Sequence, residues 1–155
     1  MTLEGVTLLI LLGFAAWLRR SLLRRRLRPW QIERTICIET PVELIGRPDV
    51  VWLDGTGRLV VGDYKNRSGP QVFESERIQL SAYRFLLRHS QGRSVAKHGY
   101  IHFADGQRVR VALLTDRQVL RLYRRYQKII SGRSEAQRRE RDGYCTYCDY
   151  QNDCR

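Results

Sequence analysis

Cysteine is scarce in this chain, and its four residues are unevenly placed. Cys145, Cys148 and Cys154 lie close together at the C-terminus, and Cys37 stands far upstream. This placement excludes a small secreted protein held together by disulfides, because the cysteines of that class are evenly distributed. It is more typical of a metal ion or an iron–sulfur centre in a reducing compartment.

Acidic residues are also few. The 155 residues include 16 Asp and Glu against 28 Lys and Arg, so the net charge is +12 and the pI is about 10.2. This excess disfavours small neutral substrates and favours polyanions such as nucleic acid or anionic lipid. Only three of the cations are lysines, so the many arginines indicate either phosphate recognition or a genome rich in G and C.

The chain lacks an apolar run that would span a bilayer without recruiting its flanks. The run at residues 6–18 covers 13 residues, which is about 20 Å of helix against the roughly 30 Å of a bilayer core. Six arginines follow it within residues 19–28, whereas a cleavable signal peptide carries its positive charge before the apolar run. We therefore predict an uncleaved anchor that holds a cytoplasmic protein at the inner face of the membrane. The alternatives are an amphipathic or buried helix and a wrongly assigned start codon, and the arginines could bind anionic lipid or DNA.

The remaining composition fits one compact domain. With 43% hydrophobic and 28% charged residues, the collagen-like, coiled-coil-only and wholly disordered classes are excluded. The sequence predicts a hydrophobic and arginine-rich N-terminal segment over residues 1–29. An α/β domain follows over residues 30–155, and its C-terminal cysteine tail covers 143–155.

The first part of this domain carries strand patterns. Apolar residues alternate over 30–38, and a second run covers 42–53 with breaks at a glycine and a proline. A turn at 54–57 precedes a third strand, RLVVGDYK. We expect these strands to form an antiparallel meander.

Helix and strand signals alternate in the second part. A helical pattern covers about 74–90, and the strands HGYIHF and QRVRVALL flank a hairpin turn at Asp105 and Gly106. Thr115 and Gln118 form a capping box that begins a second helix, which ends before a polar linker.

Two carboxylates and one lysine have the arrangement that phosphodiester hydrolysis needs. Asp49 follows a Gly-Arg-Pro triplet, and Asp63 lies on the next strand. Carboxylates that face each other from adjacent strands supply the hard oxygen ligands that Mg²⁺ or Mn²⁺ prefers. Lys65 points to the same face as Asp63, where its ammonium could orient the attacking water or neutralise developing charge. The ordinary structural interpretation is a turn residue at Asp49 and an exposed strand end after Asp63.

Gln79 and Tyr83 are four residues apart on the predicted helix and therefore share one face. Both side chains could reach the lysine or a bound phosphate. By spacing alone, a surface glutamine and a half-buried tyrosine explain the pair equally well.

Four segments follow one another along the chain: GRPDVVWLDGTGRLVVGDYKNR, RIQLSAY, KHGYIHF and CTYCDYQNDC. In this order they resemble the PD-(D/E)XK nuclease superfamily, and within it the RecB-like CRISPR-associated exonucleases. The resemblance implies a restriction-endonuclease-like fold, a mixed β-sheet flanked by helices, with an N-terminal hydrophobic helix and a cysteine tail added in this chain. It implies metal-dependent cleavage of DNA, often exonucleolytic on single strands, and partners in DNA repair or CRISPR adaptation. The catalytic residues that it implies are Asp49, Asp63, Lys65, Gln79 and Tyr83. The two aspartates and the Tyr64 backbone carbonyl would bind the Mg²⁺ or Mn²⁺ ion.

The cysteine tail, C-x2-C-x5-C, resembles the three late ligands of the [4Fe–4S] cluster in that family. This implies a cluster on Cys145, Cys148 and Cys154. Cys37 is the remaining candidate for the fourth ligand, although by itself it is better explained as a small buried residue. The alternatives are Zn²⁺, completed by a histidine or water, and a redox dithiol at Cys145 and Cys148.

One metal ligand of the family has no counterpart in this sequence. Relatives supply a His or Glu from the first helix, where this chain has only Glu4, and neither Glu33 nor Glu43 matches a family motif. The sequence therefore predicts a divalent-metal-dependent DNA nuclease. Two alternatives stay open: a catalytically impaired module that binds DNA or the membrane, and a truncated nuclease.

Overall fold

The computed structural model describes residues 12–14, 17 and 27–134. The strands are β1 (Leu27–Ile32), β2 (Ile36–Ile38), β3 (Leu44–Gly46), β4 (Val50–Asp54), β5 (Leu59–Lys65), β6 (His98–Phe103) and β7 (Arg108–Ala112). The helices with described bounds are α1 (Glu74–Ser90) and α2 (Asp116–Ile130). This is the α/β class that the sequence predicts.

Five strands form one mixed sheet in the order β1-β4-β5-β6-β7. β5 and β6 run parallel because α1 connects them, and the other neighbouring strands run antiparallel. β2 and β3 pair with each other in a separate two-stranded sheet. The predicted antiparallel meander is therefore confirmed, since β1–β4, β2–β3 and β4–β5 all pair antiparallel. Each of its first two predicted strands is, however, interrupted and divided between the two sheets.

Helix α1 has the bounds that its apolar spacing predicts, and it packs against β5 and the β2–β3 hairpin. Its buried apolar residues include Leu80, Phe85 and Leu87, which recur at helical spacing. At the start of the helix, the Glu76 carboxylate accepts the Phe73 N–H at 3.0 Å. This packing sets the position of α1 beside the end of β5.

Two glycines allow the central strands to pack closely. A Cβ on Gly62 of β5 would lie 2.1 Å from the Trp52 ring, and a Cβ on Gly99 of β6 would lie 2.9 Å from the Val61 carbonyl oxygen. Any larger residue at either position would push the strand or the ring away. The Trp52 ring therefore packs directly on the backbone of Gly62, immediately before Asp63.

The chain divides into two compact units, Met1–Val119 and Leu120–Arg155. The first contains both sheets, α1 and the start of α2, where the predicted capping box is confirmed. The Thr115 N–H donates to Gln118 Oε1 at 2.8 Å, and the Gln118 N–H donates to Thr115 Oγ1 at 3.4 Å. In the second unit the remainder of α2 continues to Ile130.

Cys37 is exposed, so the prediction that it is a small buried residue is wrong. Side chains alternate along a strand, and on β2 the buried positions are Ile36 and Ile38. The side chain between them therefore faces outward.

Several predictions fall on residues outside those that the structure describes. They concern Cys145, Cys148, Cys154, the tail at 143–155 and the apolar run at 6–18, apart from residues 12–14 and 17 of that run. Within the described residues, no helix is both long enough and apolar enough to cross a membrane.

Candidate active site

The pairing of β4 with β5 brings the two predicted aspartates together. Val50 lies opposite Gly62 in the antiparallel register, so Asp49 and Asp63 occupy neighbouring positions at one end of the strand pair. Asp49 Oδ2 accepts the Tyr64 backbone N–H at 2.8 Å. This hydrogen bond fixes the Asp49 carboxylate across the end of β5.

Asp63 and Lys65 form a largely buried ion pair. Lys65 Nζ lies 2.7 Å from Asp63 Oδ2, and the two side chains are 23% and 3% exposed. Apart from this ion pair, Asp63 Oδ2 has no hydrogen-bond partner among the residues that the structure describes. One buried carboxylate oxygen is therefore left with capacity for a further positively charged partner.

Helix α1 places the predicted glutamine and tyrosine beside this pair. Gln79 Nε2 donates to Asp63 Oδ1 at 3.4 Å and to Tyr83 Oη at 3.0 Å. Gly46 lets β3 approach the helix, because a Cβ there would lie 3.0 Å from the Tyr83 ring. The structure thus joins Asp49, Asp63, Lys65, Gln79 and Tyr83 through a continuous set of contacts.

Burial raises the pKa of Asp63 above its ordinary value, and the nearby carboxylates of Asp49 and Glu76 act in the same direction. Lys65 opposes this shift through its hydrogen bond and its charge without cancelling it. The folded protein therefore holds a carboxylate that gains from an added cation.

Glu76 is a buried acid near this site that the sequence analysis did not single out. Arg67 holds it through both oxygens, at 2.6 Å from Nη1 to Oε1 and 2.9 Å from Nη2 to Oε2. Burial alone would raise the pKa of Glu76, but the hydrogen bonds from Arg67 and the Phe73 backbone, with the charge of Arg67, lower it overall. The acidic first turn of α1 was the available signal, although it indicated helix capping and not proximity to Asp63.

The two aspartates fit a hard divalent cation. The partly unsatisfied Asp63 oxygen and the adjacent Asp49 carboxylate are the oxygen donors that Mg²⁺ or Mn²⁺ prefers. Over the described ranges, however, no group of three or more His, Cys, Asp or Glu side chains could hold a metal ion. Glu33 is exposed and pairs with Arg47, and Glu43 is also exposed. Within this part of the chain, the Tyr64 backbone carbonyl is the further oxygen donor that the sequence predicts.

A family model described as the PD-(D/E)XK nuclease superfamily matches residues 4–155. Because that match covers almost the whole chain, the protein belongs to the PD-(D/E)XK nuclease superfamily. Members are metal-dependent nucleases that typically use Mg²⁺ or Mn²⁺, so membership implies hydrolase chemistry on a nucleic acid. The mixed sheet with its helices agrees with the restriction-endonuclease-like fold of this superfamily.

A protein of known structure has a similar fold. The crystal structure of SSO0001 is similar with a TM-score of 0.52 and 20% sequence identity, over 94% of this chain and 69% of that chain. At this identity the similarity supports the fold alone. No curated protein matches the sequence.

Proposed function

We propose that the protein is a divalent-metal-dependent deoxyribonuclease that hydrolyses phosphodiester bonds, acting as an exonuclease on single-stranded DNA. The observation that supports this most strongly is the buried Asp63–Lys65 pair, with Asp49 and Gln79 beside it. An isolated strand end would expose these groups to water. Here β5, α1 and the residue before β4 position them around one buried carboxylate.

The metal would be held by Asp49 and Asp63, with the Tyr64 carbonyl as a further ligand. When bound, a divalent cation neutralises phosphate charge and lowers the pKa of a water molecule. The chain's own groups keep the carboxylates in place, since the Tyr64 N–H holds Asp49 and the Gln79 amide holds Asp63.

Lys65 supplies the fixed positive charge of the site. Its ammonium lies 2.7 Å from Asp63 Oδ2, which anchors it beside the position of the scissile phosphate in this proposal. A preorganised cation in a partly buried site stabilises negative charge that develops on the phosphate oxygens more strongly than water does. It can also orient the water that attacks phosphorus.

The Lys65→Ala variant tests this proposal. We expect it to lower the rate of Mg²⁺- or Mn²⁺-dependent DNA cleavage by at least about 100-fold, because a preorganised charge is lost. The matched control is Lys97→Ala, since Lys97 is an exposed lysine at the other end of the sheet, before β6. Rates would be measured on end-labelled single-stranded DNA, with chelator as the blank. Equal metal-dependent cleavage by both variants would refute the assignment of Lys65.

The same preparation tests whether the enzyme cleaves DNA from its ends or at internal bonds. An exonuclease releases mononucleotides or short products from labelled linear single strands and leaves circular single-stranded DNA intact. Cleavage of the circle, or a clear preference for duplex, would replace this proposal with an endonuclease or a duplex-specific enzyme.

We also propose a [4Fe–4S] cluster on Cys145, Cys148 and Cys154, with Zn²⁺ as the alternative metal. This rests on cysteine spacing and on the resemblance to RecB-like CRISPR-associated exonucleases, together with the match of the family model through residue 155. The exposed Cys37 is available as a fourth ligand.

One observation favours a second candidate, a catalytically impaired nuclease fold that binds DNA. Within the described residues, the site offers only two acidic side chains to a metal ion. No group of three or more His, Cys, Asp or Glu side chains that could hold a metal is present in this part of the chain. This candidate predicts that folded protein binds DNA but shows no Lys65-dependent cleavage with either metal. Activity of the unmodified chain would exclude it.

A further inference from the structure

The face of the sheet opposite α1 carries five rings, each of which contacts the next. We call them the ring strip: Tyr64, His102, Trp52, Tyr100 and His98. The ring centroids of Tyr64 and His102 are 5.1 Å apart, and those of His102 and Trp52 are also 5.1 Å apart. The strip continues from Trp52 to Tyr100 at 6.3 Å and from Tyr100 to His98 at 5.5 Å. Since neighbouring residues of a strand point to opposite faces, Tyr64 lies on this face while Asp63 and Lys65 lie on the other.

The strip is buried at its centre and open at the end near the catalytic residues. Trp52 is 7% exposed, whereas the Tyr64 side chain at the end of β5 is 54% exposed. A tyrosine with this exposure adds little to the core. Its ring is instead accessible to a binding partner, and the His102 ring packs against it.

Two arginines on β7 border the strip. Arg108 lies opposite His102 and Arg110 lies opposite Tyr100 in the antiparallel register, so both share the strip's face. The Arg108 guanidinium lies over the Tyr100 ring at 4.8 Å, and Arg110 Nη2 is 3.1 Å from His98 Nδ1. Both side chains are exposed, and within the described residues no carboxylate pairs with either.

The positive charge of this face belongs to the arginines. Burial lowers the pKa of His102, and the charge of Arg108 lowers it further. Burial likewise lowers the pKa of His98, with a smaller effect from the charge of Arg110. The exposed arginines are the fixed cations of this face, and the His102 ring packs between Tyr64 and Trp52.

We propose that Tyr64, His102, Arg108 and Arg110 form a binding surface for single-stranded DNA, with Tyr64 stacking on a base and the arginines contacting phosphates. The proposal rests on the proposed function, because it takes DNA as the substrate of the adjacent site. Exposed rings beside cations are the groups that bind unpaired bases and backbone together. Duplex DNA presents phosphates but keeps its bases stacked, so the tyrosine favours single strands.

The position of the surface connects it to the catalytic residues. Tyr64, His102 and Arg108 form one row across β5, β6 and β7, and the row lies at the end of β5 that carries Lys65. The row spans two strand spacings, about 10 Å. A single strand would therefore pass around the end of β5, from the catalytic face to this surface.

The arginines are tested by the affinity of the full chain for a fluorescent oligothymidylate, measured in chelator so that no cleavage occurs. We expect Arg108→Ala/Arg110→Ala to weaken binding and to reduce the slope of log affinity against log salt by about 1.4, or about 0.7 for each lost phosphate contact on a single strand. The charge-matched control is Arg93→Ala/Arg117→Ala, two exposed arginines outside the surface. An affinity and salt slope equal in the two double variants would overturn the proposal.

Stacking is tested at Tyr64 in the same assay. We expect Tyr64→Leu to weaken single-strand binding about fivefold or more and Tyr64→Trp to retain it, since each base stacked on an aromatic ring contributes that much affinity. Thermal melting confirms that both variants are folded. Equal binding by the two variants, or an equal loss for duplex of the same length, would overturn the stacking role. Because no step needs cleavage, failure here leaves Lys65-dependent hydrolysis intact, and failure of hydrolysis leaves this binding intact.

Discussion

At the scale of single residues, buried carboxylates in this protein differ in how fully their partners satisfy them. Asp63 keeps an oxygen whose only partner within the described residues is the Lys65 ammonium, and burial raises its pKa. Asp54, at the end of β4, is also buried but accepts several hydrogen bonds. The contrast separates a carboxylate suited to bind a cation from one that stabilises a turn.

Asp54 closes the turn between β4 and β5. Its Oδ1 accepts the backbone N–H groups of Thr56 at 2.9 Å and Arg58 at 3.0 Å, and the Thr56 hydroxyl at 2.6 Å. Its Oδ2 accepts Arg58 Nη2 at 2.8 Å. Burial alone would raise the pKa of Asp54, but these hydrogen bonds lower it below its ordinary value of 3.8.

We expect Asp54→Asn to lower the free energy of unfolding by about 1–3 kcal/mol at neutral pH, because charged hydrogen bonds are lost in a buried site. Since the folded pKa is lowered, the stabilisation is present above pH 3.8 and is lost as the pH falls through the folded pKa. Urea denaturation of the unmodified protein and the variant over this pH range would show the difference in their free energies of unfolding disappear at low pH. A difference that stays constant with pH would contradict the ionised role of Asp54.

At the scale of elements, the segment between β5 and α1 determines where the helix begins. Arg67 binds both oxygens of Glu76 in the first turn of α1 and donates from Nη2 to the Gln71 carbonyl at 2.7 Å. Its guanidinium lies over the Phe73 ring, 4.7 Å from the centroid. Gln79, which donates to Asp63, lies about one turn further along α1.

We expect Arg67→Met to destabilise the fold by about 2–3 kcal/mol, because it leaves the buried Glu76 carboxylate without its main partner. Glu74→Gln is the control, since it removes only the exposed Arg77–Glu74 ion pair in the same helix turn, at 3.3 Å, which is worth about 1 kcal/mol or less. Chemical denaturation measures both. The double variant Arg67→Met/Glu76→Gln should recover part of the loss, and no recovery would argue against an unpaired charge as its cause.

At the scale of the whole molecule, the proposed cluster on Cys145, Cys148 and Cys154 would stabilise the protein that holds it. A bound metal contributes its binding energy to folding. We therefore expect Cys148→Ser to lower both the iron content and the melting temperature of anaerobically purified protein. Unchanged metal content and melting would contradict the cluster, and zinc in place of iron would select the alternative metal.

The Cys37→Ser variant addresses the fourth ligand in the same experiment. Cys37 is exposed on a three-residue strand, so its replacement should cost little folding energy by itself. Loss of iron in this variant would identify Cys37 as a ligand. Retention of iron would assign the fourth position to another group.

The features that depend on local spacing could be predicted from the amino-acid pattern. The bounds of α1 followed from helical periodicity, and the capping box at Thr115 from two residues three apart. The common face of Asp63 and Lys65 followed from the two-residue period of a strand. The order of the motifs also indicated the superfamily.

Contacts between groups that are distant along the chain became visible in the three-dimensional fold. No local pattern shows that β1 pairs with β4 or that Glu76 lies near Asp63. The ring strip joins three strands through rings spread from Trp52 to His102, so it likewise has no signal in the sequence. The physical reason is that backbone geometry sets local periods, whereas strand pairing and burial follow from the competition of the whole chain for one core.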